Sequence, residues 1–519
     1  MNFKHFILAF GAVAIVGLTG CKTVGVNYFS PKTNVPDAWT VSVEGHLSNN
    51  SASLQKWWQG FNDPVLNQLI ERACRENPDL KIAAQAISEA RAQRNVSESA
   101  LFPNAALGAE YSRNRTSRNT SSFRLNSGPF DSYITGFDTS WELDFFGGLR
   151  RQLEAADAAL DASVEDYRDV LVSLFAETAT NYVDYRTIEE RLQVAARNIE
   201  NQRDSVELAQ SRLDAGLGSQ IDLSQAKANL EATRAQVPQL RTQLATARNR
   251  IATLTGGYPN SVQGLLSQSR PIPLPKAGFS AGLPCDLIRS RPDIRRAERD
   301  FASAVAQIGV AESDLYPKFN LFGQFNLQSM SASNLFDASS IAYSFGPSIN
   351  WQIFSAGRIR NSVRIEEAQA EAALAAYEKT VLLAVEEVEN SMAGIANERD
   401  RLNALRRAVS ASNEAVGLVK ENFKGGLVDF QRVIDTERTK FTNEDSAVVS
   451  KGQIAVFYIA LYKALGGGSE VDLIPVKEPQ MKAQGFMMGK RKKELEPFTT
   501  PNGATIKPVP VATAKPKEQ

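Results

Sequence analysis

Histidine and cysteine are scarce, and neither sign of charge predominates. The chain of 519 residues holds two His, at positions 5 and 46, and three Cys. So few soft ligands exclude a zinc cluster, a haem site or a disulfide framework. A Ser-His or Cys-His nucleophile would have to rest on His46, which lies in the polar stretch VSVEGHLSNN. Lys+Arg and Asp+Glu both number 58, so bulk charge gives no case for nucleic acid or an anionic surface as partner. No run reaches the ~18 apolar residues of a membrane-spanning helix. Hydrophobic content of 43% and charged content of 22% are ordinary for a folded chain. Catalytic, cofactor and metal-ligating residues are therefore all expected to be none, and the reading is of a protein that is not an enzyme.

The chain begins with an address. Lys4 and His5 precede an apolar run from Phe6 to Gly17, the pattern of a cleaved signal peptide over residues 1–20. The ending Leu18-Thr19-Gly20-Cys21 resembles a bacterial lipobox. That resemblance implies a diacylglycerol on Cys21, an acylated amine and, with Lys22 following, delivery to the outer membrane. Several acyl chains anchor firmly, because each buried methylene contributes about 0.8 kcal/mol.

The body repeats itself once. Asn77-Pro78-Asp79-Leu80 recurs 214 residues later as Arg291-Pro292-Asp293-Ile294, and Leu101-Phe102-Pro103 recurs at the same offset as Leu315-Tyr316-Pro317. Trp141, Gly216-Leu217 and Gly256-Gly257 recur at 210, as Trp351, Gly426-Leu427 and Gly466-Gly467. One length difference, within the Ser/Arg/Asn-rich loop between 103 and 141, reconciles the two offsets; such loops tolerate insertion. Each half reads helix, strand, strand, long helix, tight turn, helix. The divisions are an anchored segment (21–63), a first repeat (64–257), a Pro-rich linker (258–282), a second repeat (283–468) and a Pro/Lys-rich tail (469–519) expected to be disordered.

Four segments alternate with period two. In 318–328, Phe319, Leu321, Gly323, Phe325 and Leu327 oppose Lys318, Asn320, Phe322, Gln324, Asn326 and Gln328; 341–353 and 132–145 behave likewise, and 104–112 more weakly. A wet face carrying Asp138 and Glu142 opposite an aromatic face suits strands with water inside and lipid outside; a soluble sandwich with one exposed face is the alternative. Four strands of about ten residues can cross an outer membrane but cannot close, since the smallest barrels have about eight and an open edge is excluded in lipid. Several copies must contribute; three would supply twelve strands.

No Pro or Gly falls between Arg150 and Ala215, a helical run of ~100 Å at 1.5 Å per residue. Ile188, Leu192, Ala195, Ile199, Val206, Ala209 and Leu213 form a heptad stripe that recurs 210 residues on, and Leu223 to Leu254 continues it past the turn. Such a stripe demands partner helices. Two ~100 Å hairpins per chain are expected, with a kink at Pro238.

These features together resemble the outer-membrane efflux protein family, the TolC/OprM group, and particularly its acylated NodT-type members. The resemblance is carried by Cys21, by Trp57-Trp58-Gln-Gly-Phe61-Asn-Asp63-Pro64 with Leu66, by the two Pro-Asp motifs, and by Tyr462-Lys-Ala-Leu-Gly-Gly-Gly468. It implies a mixed α+β membrane protein: a homotrimer with a twelve-stranded outer-membrane β-barrel, four strands per chain, continued by a periplasmic α-helical barrel. Its implied partners are copies of itself, outer-membrane lipid, a periplasmic adaptor and an inner-membrane transporter of the resistance-nodulation-division type. The function implied is the exit duct of a tripartite pump for small molecules. An outer-membrane component of type I protein secretion is one alternative, and a trimeric surface coiled coil is another.

The two hairpin turns hold the candidate site. Gly216 and Gly426 supply the positive φ that a helix reversal needs; in the family, the Gly216-Leu217 and Gly426-Leu427 turns also form adaptor contacts. Asp435 occupies the family's constriction position, Asp429 matches a second acidic ring, and Asp222 matches an aspartate that ties helices closed. The duplicate of Asp222 is Arg432, which suggests an Asp222–Arg432 latch where TolC has an acidic residue. The alternative is that all four are solvated helix-end charges, worth about 0–1 kcal/mol as a pair. Cys74 and Cys285 are either a periplasmic disulfide or two free thiols. Lys490 to Lys493 is a solvated basic run or a contact for cell-wall polymer or a partner.

Overall fold

The computed structural model describes residues 23–32, 35–36, 38–40, 54–115, 117, 128–275 and 290–470, and the backbone of 498–499 and 505–506. The signal peptide, Cys21, His46, Cys285 and the Lys490–Lys493 run lie outside the described residues, as do 116 and 118–127 between the first two strands and 276–289 at the end of the linker and the start of the second repeat. Cys74 is a free, half-buried thiol. Residues 477–519 form a unit of their own. There, Phe498–Thr499 pairs antiparallel with Thr505–Ile506, where the sequence predicts no regular structure.

The duplication is literal in the backbone. The first half runs α1 (Pro64–Glu76), α2 (Pro78–Ser99), β1 (Asn104–Asn114), β2 (Phe130–Leu143), α3 (Gly148–Asp214) and α4 (Gln220–Leu254), followed by the single turn α5 (Gln263–Leu266). The second runs α6 (Pro292–Ser313), β3 (Lys318–Ser329), β4 (Ile341–Asn350), α7 (Arg358–Lys424) and α8 (Phe430–Ala464). Helices α3 and α7 both have 67 residues, α4 and α8 both 35, and α2 and α6 both 22.

The long arms, each about 100 Å, match the sequence reading. The return arms do not, since α4 and α8 are half that length. The remaining part of α3 is covered by both α2 and α6, through ion pairs such as Arg94–Asp157 at 2.9 Å and Arg296–Asp166, while α7 is met at the start of α6, where Arg291 pairs with Glu387 at 2.8 Å. Why the return arms stop is visible in the repeated motifs. Asn77 Nδ2 donates to the last carbonyl of α4, Leu254 O, at 2.9 Å, and its duplicate Arg291 donates to the last carbonyl of α8, Ala464 O, at 2.8 Å. Gly256 and Gly466 follow with φ of +69° and +72°. A Cβ on Gly256 would lie 2.4 Å from Glu76 O, and one on Gly466 2.8 Å from Ser290 O. The helix ends are thus knotted to the starts of α2 and α6 where only glycine fits.

The motif Trp57 to Pro64 lies in the same core. Trp57 stacks on Tyr462 with centroids 5.1 Å apart. Asp63 caps α1 through the amides of Val65 and Leu66 and accepts a 2.6 Å hydrogen bond from Tyr182 of α3, whose hydroxyl in turn accepts from the fully buried Arg186.

The four strands form one antiparallel sheet in the order β1-β2-β3-β4. Register keeps the two faces apart, since a one-residue slip would exchange them. Leu107, Phe137, Phe325 and Tyr343 line one cross-strand row, and Ala106, Asp138, Gln324 and Ser344 the next. The apolar row stays open in the single chain, with Tyr343 70% exposed. Strands β2 and β4 end at Leu143 and Asn350, so Phe145, Trp351 and Ile353, which alternation placed on strands, lie beyond them. Trp141 and Trp351 instead hold the sheet to the helices, each donating its indole N–H to a duplicated leucine carbonyl, Leu101 O at 2.9 Å and Leu315 O at 3.0 Å.

The N-terminal segment straps this junction. Val24 N donates to Phe146 O at 3.0 Å, and the buried Arg151 of α3 donates to Val24 O and Gly25 O. Farther along, Tyr28 and Ser30 both donate to Glu298 of α6. Burial and that carboxylate push the Tyr28 hydroxyl up to about 12, which keeps it a donor. Gly256→Ala is expected to cost about 1–3 kcal/mol, from a strained positive φ and the contact with Glu76 O, and to lower the thermal transition followed by circular dichroism.

Candidate functional site

At the ends of the two long helices the chain reverses twice in the same way. Leu217 N donates to Arg212 O at 2.8 Å and Gly216 N to Leu213 O at 2.9 Å; Leu427 N donates to Asn422 O at 2.9 Å and Gly426 N to Phe423 O at 3.0 Å. Both glycines have φ of +73°. This is the Schellman pattern, which satisfies the last carbonyls of a helix. A Cβ on Gly216 would meet nothing within 4 Å, so φ, not space, demands glycine there. The turns leave Leu217 70% and Leu427 77% exposed, two apolar side chains presented to whatever meets the tip.

The charged residues singled out from sequence gather beside these turns, each with a local task. Ser219 and Asp222 form a capping box on α4: Ser219 Oγ accepts from Asp222 N at 3.2 Å, and Asp222 Oδ2 accepts from Ser219 N at 3.1 Å. Asp429 is the N-cap of α8 and accepts from Arg432 N at 3.0 Å. Asp435, one turn on, accepts from Gln431 Nε2 at 2.9 Å. Asp429, Arg432 and Asp435 are exposed and Asp222 is half-buried. No Asp222–Arg432 ion pair forms within the chain. The duplication places these residues at equal heights, but Asp222 faces its own cap and Arg432 enters the cap of α8 only through its backbone.

A small core holds the tip together: Ala209, Leu223, Ala226, Phe423, Phe430, Val433 and Ile434. Phe423 and Phe430 pack with centroids 5.0 Å apart. Over this core lies Arg212, which sequence reading passed by. Its Nη1 donates to Phe423 O at 2.7 Å and Lys424 O at 3.1 Å, its Nη2 to Leu217 O at 3.3 Å, and its guanidinium stands 4.7 Å from the centre of the Phe423 ring. One arginine thus caps the last carbonyls of α7, braces the first turn and stacks on an aromatic face. The duplicate position is Asn422, so comparing the two halves could have exposed its asymmetry.

A four-stranded open sheet with an apolar face, set on helices of this length that end in paired reversals, defines an outer-membrane channel subunit. The family profile described as Outer membrane efflux protein matches residues 69–257 and 283–467, and the chain belongs to that family. The chain is 30% identical over 468 residues to nodulation protein T of Rhizobium leguminosarum bv. trifolii, covering 90% of this chain and 98% of the relative. It is also 30% identical over 458 residues to the cation efflux system protein CusC of Escherichia coli O6:H1, covering 87% and 97%. Among solved structures, the outer-membrane channel OprN aligns with a TM-score of 0.80 at 35% identity, over 86% of this chain and all of that one. The open state of the Neisseria gonorrhoeae MtrE channel aligns at 0.73 and 28%, over 87% and all of that chain.

Arg212→Ala is expected to lose hydrogen bonds from a charged donor, worth about 1.5–3 kcal/mol each, and to speed amide exchange over 208–217 and 419–430 while leaving the α1–α3 core protected. Unchanged exchange at the tip would show that the clamp contributes nothing.

Proposed function

We propose that this outer-membrane efflux protein is the exit duct of a tripartite pump, in which three copies make one channel. One observation carries the reading. Strands β1 and β4 are each paired on one side only, while the outward rows of the sheet are apolar. Hydrocarbon leaves no water for an unpaired edge, so β4 of one copy must meet β1 of the next. Three copies close twelve strands, and α4, α3, α8 and α7 of each continue the barrel as a twelve-helix tube.

Solutes are energised elsewhere and the duct is passive. The exposed Leu217 and Leu427 turns suit an apolar helical hairpin of a periplasmic adaptor, which links to a proton-driven inner-membrane transporter. Threefold rings of Asp429 and Asp435 at the mouth attract cations and repel one another. The lipid on Cys21 fits the position of the strap, since Val24 is bonded to Phe146 at the sheet–helix junction, the level of the membrane surface. Relatives named for pyoverdine export and for toluene or solvent efflux support small-molecule export over protein secretion.

In-cell cross-linking followed by mass spectrometry of the captured inner-membrane protein tests the pump assignment. An ATP-binding-cassette exporter in place of a proton-driven transporter would move the reading to secretion. In planar bilayers, Asp429→Asn with Asp435→Asn is expected to reduce the preference for cations. Asparagine caps a helix as well as aspartate does, so the change isolates charge from folding.

A further inference from the structure

Beside the N-terminal strap, where α3, α6 and α7 meet, lies a cavity of about 770 Å³ that plays no part in conduction. Ser30 and Pro31 of the strap form one lip, and the buried Tyr377 of α7 forms part of the wall. Charged side chains of α3 and α6 supply most of the rest. Every lining residue belongs to one chain, so the cavity is complete without a neighbouring copy. Helix α3 starts at Gly148, so at 1.5 Å per residue Glu165 stands about 25 Å beyond the sheet–helix junction, on the periplasmic side.

The charges around the cavity differ in how far they are already committed. On α6, Glu298 Oε1 accepts from Tyr28 at 2.7 Å, Ser30 at 2.9 Å and Arg299 at 3.0 Å, so this carboxylate holds the strap. On α3, Asp161, Glu165 and Arg168 follow at intervals of four and three and share a face. Arg168 pairs through Nη1 with Glu165 Oε1, and its Nε and Nη2 have no partner among the described residues. Glu165 Oε2 is buried and receives no hydrogen bond from the described residues; Arg295 Nη1 stands 3.9 Å from it, beyond bonding distance. Asp161 is exposed at the cavity and enters no ion pair among the described residues. A buried carboxylate oxygen left without a donor is costly unless something supplies one.

This set of charges is particular to one half of the molecule. At the duplicate positions, Glu165 and Arg168 become Ala375 and Glu378, while Glu298 and Arg299 become Ala84 and Gln85. The repeated helical frame is built without them, so packing alone does not account for their presence.

We propose that the cavity binds ligands carrying a free ammonium and a free carboxylate close together, such as an amino acid or a short peptide. The ammonium donates to Glu165 Oε2 with Asp161 beside it. The carboxylate accepts from the uncommitted N–H groups of Arg168, one turn farther along α3. Both ends of the ligand then meet opposite charge, and the buried oxygen gains its donor. Free peptides in the periplasm and the peptide of the cell wall share this chemistry, and both lie within reach of a cavity at this depth.

Equilibrium dialysis of the purified channel against radiolabelled alanyl-alanine tests the assignment. Saturable binding is expected, with affinity about tenfold weaker for the N-acetylated dipeptide and for its C-terminal amide. Absence of saturable binding, or equal affinity for the blocked dipeptides, overturns the proposal, and neither result depends on the folding of a variant. Glu165→Gln keeps an oxygen acceptor for Arg168 and removes the charge. It is expected to weaken alanyl-alanine binding about tenfold, and unchanged affinity also overturns the proposal. Cosedimentation with insoluble cell-wall polymer separates the two sources. Retention that free alanyl-alanine displaces assigns the site to wall peptide, whereas dipeptide binding without retention assigns it to free peptides.

Discussion

A backbone amide in hydrocarbon must find a partner, and most of this architecture follows from that requirement. The four strands of one chain satisfy each other only internally, leaving two edges. The register that keeps Phe137, Phe325 and Tyr343 in one row leaves a surface that water does not favour. A sheet so built is incomplete alone, and neighbouring copies must complete it. The membrane part supplies closure, and the helices carry that closure about 100 Å away from the bilayer.

The helices meet a related difficulty, since a heptad stripe on a helix of 67 residues has to be covered along its whole length. The chain divides the task. Each long helix is flanked by a 35-residue return arm at the tip end and by a 22-residue helix at the membrane end. The joins between these shorter pieces are where Asn77, Arg291, Gly256 and Gly466 act. A return helix stops where its last carbonyl is taken by a side chain from the start of the other short helix, and the backbone passes so close that a Cβ would collide. The same places carry the Trp57 to Pro64 motif, so the motifs that mark the family also mark the splice between layers.

The duplication is not exact, and several of its differences fall beside the hairpin turns. Two identical hairpins would make a tube with six equal seams. Here Asn422 stands at the duplicate position of Arg212, Arg432 at that of Asp222 and Val448 at that of Pro238, so the two hairpins differ in side-chain chemistry at equal heights. Glycines at the reversals are equal in both halves because backbone φ permits nothing else, whereas the side chains around them were free to diverge.

Much of this was open to inspection before any coordinates. Period-two alternation marked all four strands, and the absence of Pro and Gly marked the long helices, because burial on one face of a regular element leaves a periodic trace. The turn glycines and the charged residues beside them were legible for the same local reason. Length of the return arms was not, since a helix ends where a distant side chain caps it, as Arg291 does for Ala464. Nor was the Arg212 clamp, or the pairing of Ser205 with Glu437, because contacts between residues more than 200 positions apart leave no period in either segment. Sequence by itself determined the elements, their repetition and the class of protein. The tertiary structure decided which faces meet, and hence that Asp222 caps its own helix instead of joining Arg432 within the chain: a cap is made by neighbours three residues apart, whereas a latch needs two hairpins brought side by side.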